Sequence, residues 1–310
     1  MITPFSSPAG EIDQAAVARI VAHLSAARAS IFLLGTTGES GSISRADRRR
    51  LVALVTNNVP EGTLVYAGIS GSCFRESLEE ADCWAQLGVA AAVAHVPGFY
   101  PLDDDLVLRY YEALADRVPL PLILYNIPAT THHSLSLDVV DKLSRHPRII
   151  GLKDSEKNLD RLKAAIRLFG ERSDFSFLVG WAAQSATALE QRADGLVPST
   201  GNITPGLYQC MYQAALSGDF KKAAHLQCVT DRISALYQER RSLSRSLAAL
   251  KALMSQLELC QPHVLPPLAP LPCEERALLE EGFRALGIRD LAQPGAEPHP
   301  GRPSGYPGVA

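Results

Sequence analysis

Residues 149–155 read Ile-Ile-Gly-Leu-Lys-Asp-Ser, a short apolar run that ends on Lys153 and then breaks into polar residues. The run predicts a buried β-strand. Buried strands usually stop before their first charge, because an unpaired ammonium in a core is costly. A lysine at the last strand position can instead project into a cleft at the carboxyl end of the strand, where partial loss of hydration makes its amine a usable nucleophile. A strand-end lysine that pairs with a neighbouring carboxylate is the structural alternative.

The lysine strand belongs to a series of short apolar strands that alternate with amphipathic helices. Counting a stub at Ile2, the predicted strands are the stub and residues 31–34, 63–68, 89–94, 120–125, 149–153, 175–179 and 195–197. Eight such strands separated by helices predict parallel β-α units that close into a (β/α)8 TIM barrel, an α/β fold. A doubly wound open sheet is the alternative, but it would usually carry a glycine-rich phosphate loop after its first strand, and the sequence has none there.

The strands stop near residue 205, and the remainder of the chain is predominantly helical in pattern. Helices are predicted near 205–217, 219–239, 244–258 and 274–287, and a proline-rich connector spans 262–272. We therefore predict a catalytic barrel over residues 1–217, a small C-terminal helical appendage over 218–290, and a disordered tail rich in proline and glycine over 291–310.

Composition narrows the class of protein. The chain has 310 residues, of which 46% are hydrophobic and 20% charged, and a formal net charge of −3. That balance gives no reason to expect nucleic acid or a membrane as partner. The six cysteines are scattered without metal-site spacing, and the adjacent histidines 132 and 133 are typical of a solvated loop, so we expect reduced thiols, no metal and no cofactor. Without a signal peptide or a membrane-spanning run, a soluble cytoplasmic protein is expected.

Polar residues follow three of the predicted strands, and active sites of such barrels gather at the carboxyl ends of the strands. Residues 35–39 read Gly-Thr-Thr-Gly-Glu, a loop whose backbone N–H groups and hydroxyls suit a carboxylate, or which is simply a tight β-α turn. Tyr125 ends the strand before the lysine strand, where a phenol can relay protons or can serve only as packing. Lys153 is the third group.

Together these motifs resemble the dihydrodipicolinate synthase and N-acetylneuraminate lyase family of Schiff-base aldolases and lyases. The matching segments are Thr-Pro-Phe at 3–5, Gly-Thr-Thr-Gly-Glu-Ser at 35–40, Leu-Tyr-Asn-Ile-Pro at 124–128 and Ile-Gly-Leu-Lys-Asp at 150–154, with weaker matches at 97–101 and 194–198. They occur in the right order from residue 3 to about 285.

The resemblance implies roles for individual residues. Lys153 would form an imine with pyruvate or another 2-oxo acid, and Tyr125 would shuttle protons at the carbinolamine and at the acceptor oxygen. Thr36 would connect Tyr125 to solvent or to a second tyrosine. The implied substrate-binding residues are Gly35, Thr37, Tyr100, Thr130, Val197 and Ser199. No metal or cofactor is implied, and the expected assembly is a homotetramer or homodimer.

Departures from the family pattern bear on the substrate. Thr130 stands where dihydrodipicolinate synthases carry an arginine that grips the acceptor carboxylate, and Trp181 with two alanines stands where sialic acid lyases carry an acidic pair. A 2-keto-3-deoxy sugar acid is left by elimination. Dihydrodipicolinate synthase itself, acting on pyruvate and aspartate semialdehyde, and a non-catalytic barrel that binds a 2-oxo acid are the alternatives. Phe99 occupies the second-tyrosine position in an ungapped reading, with Tyr100 adjacent. The first strand is either truncated or begins upstream.

Overall fold

Seven parallel strands form one curled sheet in the computed structural model, which describes residues 1–293 and 295. The strands are β1 (Ile31–Leu33), β2 (Val65–Gly68), β3 (Ala91–Ala94), β4 (Leu122–Asn126), β5 (Ile149–Asp154), β6 (Ser176–Val179) and β7 (Gly195–Leu196). Each pairs in parallel with the next along the chain. The β4–β5 register sets Tyr125 directly opposite Lys153.

Helices connect consecutive strands, as parallel pairing requires, and one further helix precedes the first strand and another follows the last. They are α1 (Gln14–Ala26), α2 (Arg45–Asn58), α3 (Phe74–Gln86), α4 (Asp104–Arg117), α5 (Pro128–Thr131), α6 (Leu137–Leu143), α7 (Leu159–Phe169), α8 (Ser185–Glu190) and α9 (Pro205–Leu216). Side-chain caps define several starts: Ser44 accepts from the N–H of Asp47, and Asn158 accepts from two N–H groups of the first turn of α7. The predicted alternation of strands and helices is confirmed.

The two faces of the sheet bury different sets of side chains. The large outer core packs the helices against the sheet, and its members include Leu33, Ala92, Ala94, Leu124 and Leu152. A smaller inner cluster fills the interior of the curl with Ala91, Val93, Ile123, Tyr125 and Ile127, flanked by Phe32, Tyr66, Ile150 and Leu178. Side chains alternate between the two faces along each strand. The inner-face residues at the carboxyl ends of the parallel strands therefore lie around one opening of the curled sheet, here called the mouth.

The prediction of an eighth strand at Ile2 is wrong. The N-terminal segment does run beside β1, and the amino group of Met1 donates to the carbonyl of Phe32 over 2.6 Å. The N–H of Ile2, however, donates to the side chain of Asn202 at 2.9 Å rather than to a strand, and Pro4 has no N–H to donate. With so few main-chain bonds available, the segment bridges the edges of the sheet without forming a ladder.

Beyond α9 the chain is helical, as predicted, with α10 (Phe220–Gln238), α11 (Leu243–Gln256), α12 (Cys273–Ala285) and α13 (Ile288–Leu291). Helix α10 packs against α8 and α9, and α11 and α12 pack against α10 and each other. The division at residue 217 stays a prediction. The predicted disordered tail lies outside the described residues at 294 and from 296 onward. None of the described helices combines the length and apolar character needed to cross a membrane.

Candidate active site

Lys153 lies on the inner face at the end of β5 with 7% of its surface exposed. Its Nζ sits 3.9 Å from the ring centre of Tyr125 and 4.6 Å from that of Phe32. An ammonium over an aromatic face is attracted by the ring quadrupole, although the ring itself carries no formal negative charge. Within the described residues no carboxylate lies at ion-pair distance from Lys153, so the amine is held by aromatic surfaces rather than by a salt bridge.

The residues next to Lys153 and Tyr125 tie the two strand ends together. Asn126 donates to Oδ1 of Asp154 at 2.9 Å and to Oε2 of Glu156 at 3.0 Å. Arg161 on α7 donates to Oδ2 of Asp154 at 2.7 Å. Asp154 is 6% exposed, and a buried carboxylate needs such paired donors. This network fixes β4, β5 and α7 on the far side of the sheet, which leaves Lys153 and Tyr125 facing inward.

The Gly-Thr-Thr-Gly-Glu loop brings Thr36 to the same point. Its hydroxyl lies 3.4 Å from that of Tyr125. The loop begins at Leu34, whose φ of 56° is unusual for a bulky side chain and marks local strain. The turn is closed by the N–H of Gly38 bonding to the carbonyl of Gly35 at 3.0 Å. A Cβ at Gly68 on β2 would lie 2.3 Å from the carbonyl oxygen of Leu34, so any other residue at this position would clash with the backbone of the loop.

Glu39 anchors the loop from behind through a buried ion pair. It also has a left-handed φ of 58°, and its carboxylate pairs with Nζ of Lys251 on α11. Both side chains are 1% exposed. Nζ of Lys251 further donates to the carbonyl of His263 at 2.7 Å and sits 4.1 Å from the ring centre of Phe5. Burial raises the pKa of Glu39 and lowers that of Lys251, in each case against the attraction of the other partner.

A cavity of about 340 Å³ reaches Lys153 from the side of β1 and β7. Its wall includes the inner side chains Phe32, Tyr66, Val93, Ile123 and Leu178, and Val197 at the end of β7. Tyr125, Thr36 and Thr37 do not line it. Lys153 is therefore accessible from this cavity.

A strand-end lysine against a tyrosine, with a threonine hydroxyl at that tyrosine, matches the constellation expected from the motifs. The model of the dihydrodipicolinate synthetase family matches residues 1–285. The chain belongs to this family. Membership confirms the resemblance and the expected enzyme class, the class I lyases and aldolases.

Individual relatives of this family cover most of the chain. The 4-hydroxy-tetrahydrodipicolinate synthase of Roseobacter denitrificans is 30% identical over 289 residues, which span 93% of this chain and 97% of the relative. The structure of dihydrodipicolinate synthase from Bacteroides thetaiotaomicron is similar with a TM-score of 0.86 at 29% identity, over 92% of this chain and 96% of that one. YagE, a prophage protein of the same family from E. coli K12 solved in complex with pyruvate, is similar with a TM-score of 0.86 at 27% identity, over 93% and 96%. The barrel class is thereby confirmed.

The remaining predicted residues of this family member lie in different settings, and their roles stay predictions. Thr37 follows Thr36 in the loop and is half-buried. Thr130 is exposed, with its hydroxyl donating to the carbonyl of Ile127 at 3.3 Å. The hydroxyl of Ser199 lies 2.7 Å from that of Tyr237, in a polar network behind the strand ends.

The second-tyrosine position is solvent-exposed within the chain. Phe99 is 75% and Tyr100 71% exposed, and their rings pack against each other, with centroids 4.9 Å apart and near-perpendicular planes. Neither ring is part of the contacts around Tyr125.

Sequence reasoning missed His95, which immediately follows β3 on its inner face. Its ring packs against Tyr125 with centroids 6.1 Å apart. The signal was available: residues 91–94 are Ala-Ala-Val-Ala, and a polar side chain two residues after the inward Val93 falls on the same face. The Glu39–Lys251 pair was missed for a different reason, since its partners are 212 positions apart and no local pattern marks Lys251.

Proposed function

We propose that this enzyme forms an imine between Lys153 and the keto carbon of pyruvate or another 2-oxo acid, and makes or breaks a carbon–carbon bond next to it. The observation that carries the proposal is the placement of the Lys153 amine, 3.9 Å from the Tyr125 ring centre and without a carboxylate partner among the described residues. An amine in such surroundings is a nucleophile toward a carbonyl. The crystallised pyruvate complex of YagE supports pyruvate as the donor.

The proposed steps assign a proton to each group. The neutral Lys153 amine adds to the keto carbon to give a carbinolamine, which loses water to give an iminium. Tyr125 delivers and removes the protons of these steps, and Thr36, 3.4 Å away, connects its hydroxyl to the rest of the relay. Loss of a proton from C3, or cleavage of the C3–C4 bond, then gives an enamine. Gly35, Thr37 and neighbouring backbone N–H groups hold the carboxylate of the 2-oxo acid.

The second substrate class follows from the side chains around the mouth. We infer a 2-keto-3-deoxy sugar acid or a related hydroxylated 2-oxo acid, because the exposed Thr130 supplies no cation for a second carboxylate. Dihydrodipicolinate synthase activity itself is the second candidate, favoured by the Roseobacter denitrificans relative. The two are separated by assaying pyruvate with aspartate semialdehyde against cleavage of keto-deoxy sugar acids. A cytoplasmic homo-oligomer remains part of the proposal.

Borohydride trapping with pyruvate tests the imine directly. Intact mass followed by peptide mapping is expected to place the reduced adduct on Lys153. Lys153→Ala should abolish both adduct and turnover, whereas Lys157→Ala, an exposed lysine on the loop after β5, should retain both. No adduct with pyruvate or with a panel of 2-oxo acids would favour a barrel that binds without catalysis. Appreciable turnover by Lys153→Ala would refute the Schiff-base mechanism.

A further inference from the structure

His95 completes a row of side chains across three neighbouring strands. The β3–β4 register pairs Ala94 with Leu124, so His95 comes opposite Tyr125, and Tyr125 is opposite Lys153. The N–H of His95 donates to the hydroxyl of Ser70 at 2.8 Å, which fixes its backbone from the other side. The imidazole therefore stands at the mouth, on the side of Tyr125 away from Lys153.

The hydrogen bond of the ring defines its tautomer. Nδ1 lies 2.7 Å from the carbonyl oxygen of Val96. A carbonyl oxygen can only accept, so Nδ1 carries a proton, and in the neutral ring Nε2 holds the lone pair. Within the described part of the chain, Nε2 makes no hydrogen bond. An oriented imidazole with an unused acceptor nitrogen is suited to a ligand hydroxyl.

The surroundings favour the neutral ring. Burial lowers the pKa of His95, and the cations of Lys153 and Arg48 lower it further, whereas the hydrogen bond to Val96 raises it. A neutral imidazole is the side chain best matched to accepting a proton near pH 7.

We propose that Nε2 of His95 accepts the hydrogen bond, and during cleavage the proton, of the hydroxyl on C4 of a 4-hydroxy-2-oxo acid bound to Lys153. This inference rests on the proposed imine chemistry and divides the proton transfers: Tyr125 serves the carbinolamine and His95 serves the acceptor oxygen. In the cleavage step the C4 O–H bond breaks and an N–H bond forms on His95. The C3–C4 bond pair becomes the C2–C3 double bond, C4 becomes an aldehyde carbon, and the iminium becomes a neutral enamine. The imidazolium returns the proton to C3 of the enamine before hydrolysis releases pyruvate.

Two probes that differ in one hydroxyl test the contact: 2-oxobutyrate and 4-hydroxy-2-oxobutyrate. The concentration that half-saturates borohydride trapping is measured for each with the wild-type enzyme, His95→Phe and His95→Gln. Phe keeps a ring against Tyr125, and Gln keeps an acceptor without a base. The wild type should favour the hydroxylated probe about 3- to 10-fold, the range of one hydrogen bond. His95→Phe should lose that preference and His95→Gln should keep part of it.

The cleavage step is measured separately, as pyruvate released from 4-hydroxy-2-oxobutyrate. Both variants should cleave about 10²–10⁴-fold more slowly while still trapping pyruvate, which also shows that they are folded. His23→Phe, a histidine whose Nε2 contacts the carbonyl of Ile203 at 3.2 Å, is the matched control and should behave as wild type.

Equal losses of pyruvate trapping and cleavage in His95→Phe would overturn the proposal, because they would mark a structural role. Wild-type cleavage by both variants, or a wild-type enzyme that traps pyruvate but neither prefers nor cleaves the hydroxylated probe, would overturn it as well. Failure of the wild type to trap any 2-oxo acid would instead refute the underlying imine chemistry.

Discussion

Replacing Lys251 by methionine removes one half of the buried ion pair behind the Gly-Thr-Thr-Gly-Glu loop. Methionine keeps most of the volume that Lys251 places against the ring of Phe5, so the change removes charge with little loss of packing. It leaves the Glu39 carboxylate, 1% exposed, with the N–H of Leu265 at 3.4 Å as its remaining donor. The perturbation is therefore an unpaired buried carboxylate.

The magnitude follows from the difference between breaking and replacing such a pair. Removing one partner of a buried pair typically costs about 3–5 kcal/mol, because the other charge stays desolvated. Replacing both partners by neutral groups is often close to neutral. Burial raises the pKa of Glu39 and lowers that of Lys251, so here burial penalises both charged forms more than their pairing compensates. We expect Lys251→Met to destabilise strongly and Glu39→Gln/Lys251→Met to recover most of the loss.

Urea unfolding of the wild type, both single variants and the double variant measures this as a double-mutant cycle. With a urea dependence of about 3 kcal/mol per M, Lys251→Met should lower the unfolding midpoint by about 1–1.7 M. A double variant as unstable as Lys251→Met would refute the reasoning, since the cost would then come from lost packing rather than from an unpaired charge. A loss below about 1 kcal/mol in Lys251→Met would show that Glu39 is solvated in solution.

Other changes test the site and the loop. Tyr125→Phe should lower turnover about 10²–10⁴-fold, as expected for a lost acid-base group, and a near-normal rate would reassign the ring to packing. Thr36→Val removes the hydroxyl 3.4 Å from Tyr125 and should lower the rate while pyruvate binding is retained, as measured by half-saturation of trapping. Gly68→Ala should lower the free energy of unfolding by about 1–3 kcal/mol, because its Cβ meets the carbonyl of Leu34 at 2.3 Å. Gly71→Ala, with nothing within 4 Å, is the control, and equal stabilities of the two would contradict the close approach.

The parts predicted correctly are those that local patterns determine. The strand around Lys153 depends on a few adjacent residues, and its predicted range 149–153 agrees with the observed Ile149–Asp154 to within one residue. Lys153 and Tyr125 could be brought together from sequence because parallel strands align their carboxyl ends. The observed register places them as direct neighbours.

The parts that were missed depend on partners distant in the chain. The prediction of an eighth strand was wrong because the N–H of Ile2 donates a hydrogen bond to the side chain of Asn202, and no local sequence pattern reveals that this residue lies nearby. Glu39 is the last residue of the loop predicted to bind a carboxylate, but its own carboxylate pairs with Lys251 rather than facing the mouth. Local sequence patterns predicted the strand-end residues, and long-range packing determines which of their side chains face the interior of the sheet.

Charge at the mouth connects these findings to substrate choice. The cations that act on His95 are Lys153, the proposed nucleophile, and Arg48. Arg48 is engaged elsewhere, since it donates to Glu80 at 2.8 Å and to the carbonyl of Ser40 at 2.6 Å. Of the described cations that act on His95, neither is thus left uncommitted for a second carboxylate on the acceptor, whereas a hydroxyl would meet the proposed acceptor Nε2 of His95. Introducing an arginine by Thr130→Arg should therefore raise activity toward acceptors with a carboxylate relative to hydroxylated ones. An unchanged ratio would show that Thr130 does not face the acceptor.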